Sequence, residues 1–107
     1  MESKIEEERQ KVKDEIKNFL NENKIDFTEN ENSVKIKGEL FYIIMLRITE
    51  ISVKIKTDKY IKITYGKEKV YLTYEEVYPK EIEKKLEIQE SEVQAIYYTN
   101  NTLVILF

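Results

Sequence analysis

Residues 51–74 read ISVKIKTDKYIKITYGKEKVYLTY. Apolar side chains take every second position in three runs: Ile51/Val53/Ile55, Ile61/Ile63/Tyr65 and Val70/Leu72/Tyr74. A period of two places each set on one face of a strand, because successive side chains in extended backbone point to opposite sides. The strands Ile51–Thr57, Tyr60–Tyr65 and Val70–Tyr74 are separated by Asp58–Lys59 and Gly66–Lys69, polar breaks of hairpin length. The stretch predicts an antiparallel meander with one face toward a core and one toward water.

Working outward toward the N-terminus, Leu40–Leu46 is a continuous run of large apolar residues. Its β-branched and aromatic content predicts a buried strand. Apolar parity then slips, from even at Leu40, Ile44 and Ile48 to odd at Ile51, Val53 and Ile55. A two-residue period cannot change parity without an interruption, so a bulge or tight turn is expected at Thr49–Glu50. Further upstream, Ile25–Thr28 and Ser33–Lys37 flank the polar turn Glu29–Asn32 and predict a hairpin, with Val34 and Ile36 facing one way. Residues 3–23 predict an amphipathic helix. Ser3 is placed to cap it, with Glu6 as capping-box partner, and Glu6–Glu8 suit the positive end of the helix dipole. Ile5, Val12, Ile16, Phe19 and Leu20 form one stripe, and Asn21 and Asn23 supply stop signals.

Toward the C-terminus, Pro79 fits the first turn of a short helix through Leu86, with Tyr78, Ile82 and Leu86 on its apolar side. Val93–Tyr98 and Thr102–Phe107 flank Asn100–Asn101, residues that tolerate positive φ in a two-residue hairpin turn. Leu103–Phe107 is apolar on both faces and is expected to lie inside the sheet. These readings give an α+β fold: a mainly antiparallel sheet of about six or seven strands, with the N-terminal helix and the short second helix packed on one face. The 107 residues suit a single domain.

Composition excludes several chemistries. The chain has no cysteine and no histidine. Disulfides, thiolate metal sites, thiol nucleophiles and imidazole bases are therefore absent. Two glycines leave no phosphate-cradling loop, and no GxGxxG, Walker A or GxSxG pattern occurs. No cofactor is expected. No apolar run approaches the roughly 18 residues that span a bilayer, and the charged N-terminus lacks a signal-peptide apolar core. A cytoplasmic, membrane-free protein is expected. Lys and Glu enrichment fits a thermophile, seven asparagines weigh against it, and an AT-rich genome would give the same bias; an archaeal or mobile-element origin is compatible with this composition.

Carboxylates are the remaining catalytic resource. Glu39, Glu50, Asp58 and Glu68, with Lys54, Lys56 or Lys69 nearby, have the residue types of a metal-dependent nuclease. Glu83-Lys84-Lys85 matches a nuclease-like Glu-x-Lys spelling. With 18 Glu and 16 Lys in the chain, such matches arise by chance, and solvated surface is the stronger reading.

Charge is segregated along the chain. Residues 33–74 carry nine basic and four acidic side chains, whereas the flanking segments each carry a net of −4 within a total of −3. Lys35, Lys37, Lys54, Lys56, Tyr60, Lys62 and Tyr71 take the positions opposite the apolar sets. Ammonium groups interleaved with phenol rings have the chemistry to hold phosphates and stack bases. The plainer account is a solvent-facing sheet whose lysines discourage edge pairing. Eight tyrosines supply ring surface with a polar tip, as interfaces favour. The expected function is a small non-enzymatic binding module for a protein partner, a homodimer included. A nucleic-acid-binding lysine–tyrosine face is the first alternative and a carboxylate–metal nuclease the second.

Overall fold

The computed structural model describes residues 2–77 and 82–107. Helix α1 (Glu2–Glu22) is followed by β1 (Thr28–Asn30), β2 (Ser33–Lys37), β3 (Glu39–Met45), β4 (Thr49–Lys56), β5 (Lys59–Gly66), β6 (Lys69–Glu76) and β7 (Ile82–Gln89). A single 3-10 turn (Glu90–Glu92) leads to β8 (Ala95–Thr99) and β9 (Thr102–Leu106). Among the described residues, nine strands form two antiparallel sheets, β1-β2-β9-β8 and β3-β4-β5-β6-β7, in place of the one sheet of six or seven strands expected. The chain enters the first sheet, crosses at Gly38, completes the second as a meander, and returns to insert β9 between β2 and β8.

The meander follows the alternation of residues 51–74. Ile51, Val53, Ile61, Ile63, Val70, Leu72 and Tyr74 are all buried, with Ile55 and Tyr65 packed at the margin. They join Val34, Ile36, Leu103, Ile105 and Ile96 of the other sheet in one apolar core. Val12, Ile16, Phe19 and Leu20 from the helix complete it, while the Ile5 side chain lies outside the described residues. The helix begins at Glu2, so Ser3 lies in its first turn and not at the cap. It ends where Lys24 adopts φ 57° and the Ile25 N–H donates to Leu20 O at 2.8 Å, a left-handed closure that satisfies an orphan carbonyl. Two of the two-residue hairpin turns use positive φ, at Lys67–Glu68 and Asn100–Asn101, which matches the right-handed twist of the flanking strands. As expected, β9 is a central strand.

The second helix expected through Leu86 is a strand. Tyr78, Pro79 and the Ile82 side chain lie outside the described residues, but Ile82–Gln89 pairs with β6 along its length, with Leu72 opposite Leu86 and Val70 opposite Ile88. An apolar spacing of four fits both a helical turn and two strand periods. The Glu and Lys residues between are good helix formers. The open edge of β6 resolves the ambiguity by offering ladder partners. The parity slip is also resolved differently. The turn falls at residues 46–48, just before Thr49, and a register irregularity sits between Leu40 and Tyr42.

Gly38 makes the crossing between sheets. A Cβ on it would overlap Val53 Cγ1 and lie 2.8 Å from Lys54 O. The Tyr98 hydroxyl bridges the same point, donating to Gly38 O at 2.7 Å and accepting from Leu40 N–H at 3.0 Å. We expect Gly38→Ala to destabilise the fold by about 1–3 kcal/mol through overpacking against backbone. Urea denaturation checks this, and an unchanged midpoint would show that the crossing has room to give.

Candidate functional site

Among the described residues, strand β3 is an edge strand with one neighbour, β4. The apolar run that predicted a buried strand is a strand, but it is exposed: Phe41 is 61%, Met45 73% and Leu46 88% accessible. The expectation of burial fails because the layer over the five-stranded sheet stops short of this edge. Leu40 and Ile43 stand opposite Val53 and Ile51, so they share the core-facing side, yet both are exposed. Tyr42 and Ile44 stand opposite Ser52 and Glu50 on the other side. Phe41, at the irregularity, joins that outer side, its ring centroid 5.0 Å from Tyr60 and 5.6 Å from Tyr42. Ile44, Leu46, Arg47 and Ile48 line an open hollow of about 490 Å³ at the tip. The edge is thus apolar on both faces and at its end.

The lysine–tyrosine positions do not form one surface. Lys35 and Lys37 belong to β2, in the other sheet from Lys54, Lys56, Tyr60, Lys62 and Tyr71. Within the five-stranded sheet, Lys54 pairs with Tyr60, Lys62 with Thr73, and Tyr71 with Thr64, which gathers Lys54, Tyr60, Lys62 and Tyr71 on the outer face. A register shift between Lys54 and Lys56 breaks their shared parity. Lys56 stands opposite Lys59, which has the parity of the core-facing Ile61 and Ile63. Acidic groups occupy the same outer face. Lys62 Nζ lies 3.3 Å from Glu75 and 3.9 Å from Glu50. Lys85 Nζ sits 5.4 Å from the Tyr71 ring centroid, over one face of that ring.

A polar network links this face to β3. The Tyr42 hydroxyl donates to Glu50 Oε2 at 2.7 Å and Thr64 Oγ1 donates to Glu50 Oε1 at 3.2 Å. Burial, then the hydrogen bond to Glu50, pushes the Tyr42 phenol from 10.0 up to about 12. The folded state therefore holds this proton more tightly than the unfolded chain. Its contribution to stability is intact below the ordinary tyrosine value and is lost as pH rises through about 12. We expect Glu50→Gln to lower the Tyr42 pKa partway and to flatten this alkaline loss, as read from the ring-carbon shift in an NMR titration. An unmoved pKa would show that burial alone sets it.

The carboxylates weighed as metal ligands do not converge. Glu50 belongs to the network above, Glu39 starts β3, and Asp58 and Glu68 lie in the turns at opposite ends of β5. Among the described residues no three Asp or Glu side chains gather closely enough to hold a metal ion. No described helix is long and apolar enough to cross a membrane. Compared with protein-family models, curated proteins and solved structures, the chain matches none.

Sequence reasoning missed Phe41, Ile43, Met45 and Leu46 as surface residues. The signal was present: seven consecutive residues, Leu40–Leu46, carry no charge in a chain that is 36% charged. Local pattern does not reveal where the covering layer ends, so the same run reads equally as core.

Proposed function

We propose that this protein is a non-enzymatic binding module that engages a polypeptide by strand addition at β3. The observation that carries the reading is the exposed edge itself. A strand with one neighbour leaves alternate N–H and C=O groups without ladder partners, and an incoming strand supplies them. Apolar side chains on both faces favour a strand over a helix as the occupant, since a helix covers one face only. Contiguous apolar surface of this kind is rare on monomers and marks interaction sites.

A photo-cross-linking residue placed at Met45, with Lys84 on the opposite edge as control, tests this in cells expressing the chain. The reading expects a discrete polypeptide adduct from position 45 and none from 84. No polypeptide adduct at 45, or the same adducts at both, would overturn it.

The nucleic-acid reading has less support, because Glu50 and Glu75 flank Lys62 and two of its lysines lie on the other sheet. It predicts salt-steep binding that weakens when Lys54 and Lys62 become Gln. The protein-partner reading expects no measurable binding to single- or double-stranded nucleic acid at physiological salt.

A further inference from the structure

We infer that the occupant of the β3 edge is the β3 strand of a second copy, paired antiparallel about a two-fold axis near Ile43. This rests on the strand-addition reading and names its partner. The other sheet edges differ from β3. β7 presents Glu83, Lys84, Lys85 and Glu87, all exposed, and β1 is three residues long. Charge and shortness are the ordinary protections of an open edge. β8, five residues long, carries no charge but is shorter than β3, which spans seven. β3 is charge-free from Leu40 onward.

The β3 edge is also self-complementary. An occupant must itself be apolar on both faces, and β3 is such a strand. Antiparallel pairing centred on Ile43 brings Glu39, at the start of one strand, beside Arg47, at the tip of the other. Both residues are exposed, and among the described residues neither has an ion-pair partner within the protomer. Apolar residues fill the interval between them, so one axis matches apolar to apolar and acid to base.

The accessible fractions of the exposed apolar residues from Leu40 to Ile48 add up to about four whole residues. At about 200 Å² for a large side chain, that is on the order of 800 Å². The largest apolar patch on an ordinary monomer is roughly 300–600 Å², and a stable interface takes about 800 Å² from each partner. Pairing two β3 strands joins the five-stranded sheets of the two copies into one continuous sheet and uses up the long apolar edge of each, so the assembly closes as a dimer.

Sedimentation velocity over a wide concentration range tests the proposal. A reversible dimer is expected, with no larger species. Ile43→Lys places two like charges in each two-fold interface and is expected to weaken association by about a hundredfold or more. Met45→Lys, at a more exposed position, is a second variant that leaves the protomer fold intact, with circular dichroism as the check. The chain lacks cysteine, so Ile43→Cys supplies a unique thiol. It is expected to give a covalent dimer with a short thiol cross-linker, while Lys84→Cys is not. A monomer at every concentration would overturn self-pairing while leaving the adduct at position 45 to identify a different polypeptide. A dimer indifferent to both lysine variants would also overturn it, by placing the interface elsewhere.

Discussion

Deleting Leu103–Phe107 is expected to abolish cooperative unfolding. β9 pairs with both β2 and β8, and among the described residues β8 has no other strand neighbour. Leu103, Val104, Ile105 and Phe107 are all buried. At about 1.5–3 kcal/mol for each buried side chain, their removal forfeits roughly 6–12 kcal/mol of transfer free energy. That is comparable to the whole stability of a typical domain, about 5–15 kcal/mol. The ladder groups of β2 and β8 would lose their partners as well. Differential scanning calorimetry of the truncated chain checks this. A sharp transition near that of the full chain would show that the four-stranded sheet is dispensable.

The second large effect belongs to the helix. Phe19 is buried in the core, one turn from Ile16 and beside Leu20, which are wholly inaccessible. Phe19→Ala is expected to cost about 3–5 kcal/mol, the lost transfer energy of the ring plus the cavity it leaves. For a domain of this size that lowers the thermal midpoint by roughly 12 °C or more. Urea denaturation with an unchanged m-value would assign the loss to the native state. A loss under about 1 kcal/mol, the range of exposed sites, would mean that the helix is not part of the core.

Both effects concern contacts between segments distant in sequence. The helix stripe, strand β2, the meander and the Asn100–Asn101 turn rest on local periodicity and turn chemistry, and each was legible, whereas the hairpin partner of β2, expected at Ile25–Thr28 before a turn at Glu29–Asn32, lies at Thr28–Asn30. The segment after Pro79 was not, because Ile82, Leu86 and the charged residues between them satisfy two periods at once. Only the neighbouring β6 strand chooses between them. The candidate site was half legible. Lys54, Tyr60, Lys62 and Tyr71 share the outer face that alternation predicts, but their acidic neighbours Glu50 and Glu75 come from adjoining strands, and Lys56 loses the face through a register shift.

What the sequence alone determined is the list of strands that alternate, the amphipathic helix, the hairpin turns, and the absence of the side chains that thiol and imidazole chemistry require. All of these follow from forces acting within a few residues: side-chain period, φ preference and composition. The tertiary structure decided that the strands divide between two sheets, that β9 closes against β2 from the far end of the chain, and that Leu40–Leu46 lies on an edge and not in the interior. The reason is that burial is a property of the layer above a strand. An apolar run is the same sequence whether another layer covers it or water does, and in this protein the covering layer ends before it reaches β3.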